Sequence, residues 1–293
     1  LRFKTPTSHF LKLNHRLNEH LSGIFAFVYL HVLRQFSAQW TVHFPRPINT
    51  IAAVRKVISR HIRKHDDHTF RLFLLRTVSA QLHLFGLLIA VAAFAVLLYL
   101  VISKTPTLTH ILACSIFGIT GMSVFASSSL YHFMADGFQI SDKANSWLNT
   151  YDHFSIYFFI AGTYTAFIVN AIQPPWDAYL LITVWTLAFI GMTYTILKSR
   201  LPKALQSRYL STALFVALGW TLCIRISEAW AAIDSASRFF LTAGGLAYTL
   251  GAVVYATKKP DPFPNRFGYH EIWHIAVLLG FAMHTILILR FYL

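Results

Sequence analysis

Charge is scarce in this chain. Of its 293 residues only 12% are Asp, Glu, Lys or Arg, while 56% are hydrophobic; soluble domains carry about 25% charged residues. That shortage excludes an ordinary water-soluble fold of this length and points to a polytopic membrane protein. Acidic residues are scarcer still, 11 against 25 basic ones, for a formal net charge of +14. Such an excess is one footprint of nucleic-acid binding, but the placement of the charges argues against that partner. They gather in residues 1–78 and in two short loops, where they would meet anionic lipid headgroups and set the direction of insertion. Cysteine is nearly absent: Cys114 and Cys223 both lie inside apolar runs, which excludes a disulfide framework and a Cys-x-x-Cys metal pattern. Residues 1–20 lack an apolar h-region and a small-residue cleavage site, so no secretory signal is expected there. There is no internal repeat and no low-complexity segment. Alternating apolar and polar residues are also lacking in the long runs, which argues against barrel strands.

What is there is a series of apolar runs. A spanning helix needs about 20 mostly apolar residues, and the sequence predicts seven such spans: 84–102, 108–133, 154–172, 179–197, 209–224, 239–257 and 272–289. The expected fold is all-α, a seven-transmembrane helix bundle over 79–293, preceded by a basic cytoplasmic or interfacial region over 1–78. Within that region 21–36 predicts an interfacial helix and 53–75 a basic amphipathic helix on the cytoplasmic face.

The connections separate by charge. Arg55, Lys56, Arg60, Arg63, Lys64, Arg71 and Arg76 precede span one. Lys198, Arg200, Lys203 and Arg208 follow span four, and Lys258, Lys259 and Arg266 follow span six. With alternating spans all of these fall on one side. The other side holds Lys104, Asp177, Glu228, Asp234 and Arg238, and the loop after span two is balanced, Lys143 against Asp136 and Asp142. The positive-inside rule then predicts a cytoplasmic N-terminus and an extracytoplasmic C-terminus.

Polar groups inside spans are costly, so each is a functional candidate. Ser128 and His132 close span two, Asp152 and His153 open span three, and His270, Glu271 and His274 open span seven. Alternation puts all of these ends at one depth, just within the inner leaflet. His270 and His274 are i and i+4 and share a helix face, as do Ser128 and His132. Three imidazoles with a free fourth position make a catalytic-type zinc site, and Asp152 from a third helix could hold its water and accept a proton. His284 stays out, about 15 Å further along the helix at 1.5 Å per residue. Each residue also has a plainer explanation: Asp152 as the N-cap of span three, Ser128 as a small residue at a helix contact, the histidines as lone groups on carbonyls. The segment HEIWH matches the zinc-protease pattern H-E-x-x-H, but no soluble protease domain surrounds it, and Glu271 is expected near the headgroups, favoured by the helix N-terminus.

SSSLYHF at 127–133, YDHFSIYFFIAGTYTAF at 151–167, GGLAYTLGAVVY at 244–255 and FGYHEIWH at 267–274 together resemble the hemolysin III family, the bacterial branch of the progestin-and-adipoQ receptor (PAQR) family that includes the adiponectin receptors. The resemblance covers 79–293. It implies a Zn²⁺ ion held by His132, His270 and His274, with Ser128 and Asp152 facing the metal and its water, and it implies the same orientation as the charge pattern. Adiponectin-receptor relatives have a lipid-facing cavity and ceramide-hydrolysing activity, and alkaline ceramidases carry a similar constellation. Family members lack a Glu in the middle of H-x-x-x-H, which weakens a zincin role for Glu271.

Three functions follow as alternatives. The first is a membrane zinc hydrolase of lipid amide or ester bonds, ceramidase-like, with membrane lipids as partners and Asp152 and Ser128 as catalytic groups. The second is a receptor-like or membrane-homeostasis protein with structural zinc. The third is a lytic protein, which would need a polar stripe that spans one and four do not offer. The bacterial plasma membrane is the expected location. The orientation is directly testable: a tag at position 1 should resist external protease in intact cells and a tag after Leu293 should be cleaved, and the reverse pattern would overturn the depth argument.

Overall fold

The computed structural model describes residues 77–104, 107–137, 140–264 and 267–293. The expected interfacial helix at 21–36, the amphipathic helix at 53–75 and the N-terminal region as a whole fall outside the described residues. Eight α-helices follow: α1 (Val78–Lys104), α2 (Leu108–Gly137), α3 (Asp142–Ala171), α4 (Trp176–Leu197), α5 (Arg208–Gly219), α6 (Ile226–Ala232), α7 (Ser235–Thr257) and α8 (Tyr269–Leu289). With α5 and α6 joined by a 3₁₀ segment (Thr221–Arg225), they make seven segments long and apolar enough to cross a membrane. Among the described residues the remaining regular structure is two further 3₁₀ turns and one bridge between Phe263 and Phe267.

The helices are apolar on the outside because lipid is their solvent. Tyr99, Leu108, Ile182 and Leu250 stand exposed on the bundle surface. Neighbours in sequence are neighbours in space: α1 packs on α2, α2 on α3, α3 on α4, α4 on α5, α5 on α7 and α7 on α8, and α8 closes the ring against α1. Phe281 of α8 stands at the middle of this ring. It stacks on Phe117 at 6.0 Å and meets Phe125 edge-on at 5.0 Å and Phe159 at 5.8 Å, tying α8 to α2 and α3.

Two glycines set the close approaches that matter for the polar end of the bundle. A Cβ on Gly86 would lie 2.6 Å from both Phe125 of α2 and Leu278 of α8, and one on Gly251 would lie 2.5 Å from Ala276 of α8. Small residues let helix backbones come together where lipid offers no hydrophobic drive for association. Gly86 thereby lets α1 wedge between α2 and α8.

At the opposite end Asp234 caps α7 by accepting from the Ser237 backbone N–H at 2.7 Å. That bond, together with the Ser237 hydroxyl and Arg290, holds the Asp234 carboxyl at about 2. Arg290, at the end of α8, pairs with Asp234 and donates to Ser237 Oγ at 3.0 Å. Nearby, Asn170 donates to Tyr292 Oη at 2.8 Å and Cys114 Sγ donates to the same oxygen at 3.3 Å.

The helices differ from the expected spans where polar residues extend them. Helix α3 begins at Asp142 rather than 154, and α1 at Val78 rather than 84. A hydropathy window stops at such residues, whereas backbone hydrogen bonding does not. The fifth span differs in kind. It was expected as one short helix over 209–224, but it runs to Ala232 with an interruption after Gly219. Inside a membrane the freed backbone groups need internal partners. Tyr164 supplies them: its hydroxyl donates to the Gly219 carbonyl at 2.6 Å and accepts from the Leu222 N–H at 2.9 Å. Tyr164→Phe should strand both groups and cost about 1–3 kcal/mol. The check is thermal unfolding in detergent, where it should fall clearly below Tyr248→Phe, whose hydroxyl has no partner among the described residues. Equal stability of the two variants would contradict the role of Tyr164.

Candidate metal centre

The three serines of SSSLYHF show how α2 distributes polarity. Successive residues are rotated by about 100° around an α-helix at 3.6 residues per turn, so three in a row face three directions. Ser127 Oγ meets Ser155 Oγ of α3 at 2.7 Å. Ser129 donates to the Ala80 carbonyl of α1 at 3.0 Å. Ser128 points between them and lines an internal cavity of about 410 Å³ together with Asp152, His270 and His274. One turn further on, the same face carries His132.

His132, His270 and His274 converge, with one ring nitrogen from each within 4.8 Å of the others. The His132 and His270 Nε2 atoms are 3.1 Å apart. Two ring nitrogens each about 2.0–2.1 Å from a tetrahedral ion would be separated by roughly that amount. His274 is buried and its Nε2 has no hydrogen-bond partner among the described residues. An unsatisfied polar atom at such a place calls for an explanation, and a bound cation supplies one. The donor set is all imidazole, which suits Zn, Cu, Fe or Ni rather than the hard cations that prefer oxygen. The group can therefore hold a metal ion, and the residues fit one.

The rings are held from behind. His132 Nδ1 meets the Asp136 carboxylate at 3.1 Å, one turn along α2. This is the carboxylate–histidine pairing that leaves the far nitrogen free to ligate. His274 Nδ1 meets His83 Nε2 of α1 at 2.6 Å. Neither Asp136 nor His83 was anticipated as part of this site. His83 lies one residue before the expected start of span one, and a signal for it existed: Ser79 and His83 repeat the i, i+4 spacing of Ser128 and His132.

The remaining candidates sort as follows. Asp152 is no helix cap. Ser141 caps α3, and Asp152 lies about three turns into the helix, buried, on the cavity wall. The capping explanation thus fails, and the carboxylate faces the same space as Ser128, His270 and His274. His153 lines that space as well, its Nδ1 bonding the Asn149 carbonyl at 2.9 Å. His284 stays out of the metal group; its Nε2 donates to the Leu241 carbonyl at 3.2 Å. Glu271 stays outside the metal group, as expected. It sits in the first turn of α8, half-buried, where one carboxylate oxygen accepts from the Gly268 N–H at 2.8 Å and the other from Ser79 Oγ at 2.8 Å. It locks the start of α8 onto α1, a use of the helix N-terminus that fits its charge. His274→Ala should remove most bound metal from the purified protein, read by elemental analysis, and full metal content in that variant would refute the ligand assignment.

The comparisons with known proteins agree with this architecture. The family described as "Haemolysin-III related" matches residues 75–285. The chain is 30% identical to "Hemolysin-3 homolog" of Bacillus subtilis (strain 168) over 204 residues, 70% of this chain and 88% of the relative. It is 30% identical to "Hemolysin-3" of Bacillus cereus over 206 residues, 70% and 86% of the two chains. A more distant similarity, 23% over 169 residues, 58% of this chain and 66% of the other, is to "Monocyte to macrophage differentiation factor" of Homo sapiens. Seven apolar helices, a histidine group that could hold a metal and a match across most of the membrane bundle make this chain an integral multi-pass membrane protein of the haemolysin-III family.

Proposed function

We propose that the protein is a zinc-dependent hydrolase of a lipid amide or ester bond, ceramide-like in its substrate, working at the inner leaflet of a bacterial plasma membrane. The observation that carries this is the unsatisfied Nε2 of His274 at a three-histidine group beside an apolar cavity that Ser128 and Asp152 line. His132, His270 and His274 would hold the ion, and a bound Zn²⁺ would supply a Lewis acid and lower the pKa of water toward 7. Asp136 keeps the His132 lone pair turned inward by accepting its Nδ1–H. The Asp152 carboxylate takes a proton from the attacking water and returns it to the departing nitrogen or oxygen as the C–N or C–O bond breaks. Ser128 donates its hydroxyl to the carbonyl oxygen, where charge develops. Phe159, Ile160, Phe215, Leu246 and Trp273 line the rest of the cavity, a surface suited to an acyl chain. The Lys/Arg asymmetry supports a cytoplasmic N-terminus and hence the inner leaflet, and the Bacillus relatives support a bacterial plasma membrane.

A second reading has its own support. The three ligands come from two helices, α2 and α8, so a metal would cross-link the bundle and could serve a receptor-like protein without turnover. A lytic role has less, since α1 and α4 present Phe85, Tyr99, Ile182 and Ile190 outward rather than a polar stripe.

Two variants separate these. Asp152→Asn should keep the metal and the fold yet lower turnover of labelled ceramide by roughly 10²–10⁴-fold, the usual contribution of general acid–base catalysis. Glu271→Gln should do far less, because Glu271 is committed to Gly268 and Ser79. Loss of turnover in Glu271→Gln alone would mean that HEIWH works as a protease-type motif. No lipid turnover in the unaltered, metal-loaded protein would favour the structural metal.

A further inference from the structure

We propose that His83 of α1 is a positioning residue for the metal ligand His274, acting as the hydrogen-bond acceptor that fixes which His274 nitrogen faces the metal. The inference rests on a metal occupying the three-histidine group, though not on any lipid hydrolysis.

A neutral imidazole has one N–H and one lone pair, and which nitrogen carries the proton is set by the bond the other makes. His274 Nδ1 and His83 Nε2 are 2.6 Å apart, so one proton lies between them. Were it to belong to His83, His274 Nδ1 would accept, its Nε2 would carry the hydrogen, and no lone pair would face His132 and His270. Metal binding at Nε2 therefore requires the proton on His274 Nδ1 and the lone pair on His83 Nε2. His83 then carries its own hydrogen on Nδ1, and that buried atom has no partner among the described residues.

The surroundings of His83 aim it. Gly86, one turn on, brings α1 against α2 and α8. Phe125 meets the His83 ring edge-on at 5.3 Å, and the His83 and His274 rings cross at 77° with centroids 3.9 Å apart. One turn before, Ser79 donates to Glu271. Ser79 and His83 thus reach Glu271 and His274 from one face of α1. Two of the three ligands then have a built acceptor behind them: a carboxylate for His132 and a neutral imidazole for His274. A buried carboxylate at position 83 would need a counter-charge, and the imidazole avoids that requirement.

Three substitutions in the full-length protein in detergent test this, with Zn²⁺ affinity read by chelator competition and the visible absorption of Co²⁺-loaded protein as a second readout. Gln can put its side-chain oxygen where His83 Nε2 lies, whereas Asn is too short and Phe has no acceptor. His83→Gln should retain most of the affinity and the parent-like Co²⁺ spectrum. His83→Asn and His83→Phe should lose about 10–100-fold in affinity, the usual cost of removing such a partner, with an altered spectrum. The Gln and Asn variants are both polar, so a difference between them does not reduce to tolerance of an apolar side chain, and thermal stability of the metal-free proteins controls for packing. Parent-like affinity in all three variants would overturn the positioning role while leaving the metal site intact. Equal loss in all three would overturn the acceptor argument and make His83 a packing residue. A parent protein that binds neither ion would overturn the metal reading and this inference with it.

Discussion

A polar atom inside a lipid-embedded bundle has no bulk water to bond, so leaving it without a partner in the protein or a ligand is costly. Everything at one end of this bundle follows from that constraint. Ser127, Ser129, Glu271 and His132 each bond a group on their own or a neighbouring helix. His274 Nε2 is left over where His132 and His270 converge. A cation offers one contact to each nitrogen, and an all-imidazole set attracts one without bringing a buried charge of its own.

The same constraint divides the molecule. Around Phe281, helices α1, α2, α3 and α8 pack through aromatic rings, with glycine at close approaches. This half holds the metal group and the side chains behind it. The other half, with the interrupted fifth span and α7, leaves room. The cavity reaches from Asp152 and the histidines past Phe215, Trp220 and Cys223 to Tyr248 and Leu287. It is apolar along most of its wall and polar at the histidine end. That gradient is what supports the proposal of a lipid substrate, polar at one end and apolar along the rest.

Membership of the haemolysin-III family and the seven apolar helices were legible in the sequence, because hydropathy depends on composition within a window and the family signature lies in short local motifs. The same local logic identified His132, His270 and His274: direction alternates with each span, so the end of the second and the start of the seventh must meet at one depth. It also kept His284 apart, since distance along a helix follows from residue count alone.

Tertiary structure alone decided the rest. Whether Asp152 caps a helix or faces the cavity depended on where α3 begins, and Ser141 supplies the cap through a polar stretch that a hydropathy window discards. His83 was missed because that window opened at the next residue, although its Nε2 lies 2.6 Å from His274 Nδ1. The bond from Ser79 to Glu271 joins residues 192 apart in sequence, so no local pattern reports it. Periodicity and composition report a residue's own helix, so they predicted the seven spans and which side chains share a face. They carry no information on which neighbour that face meets, because the rotation of one helix against another is set by packing at positions such as Gly86 and Phe281, and only the folded bundle contains it.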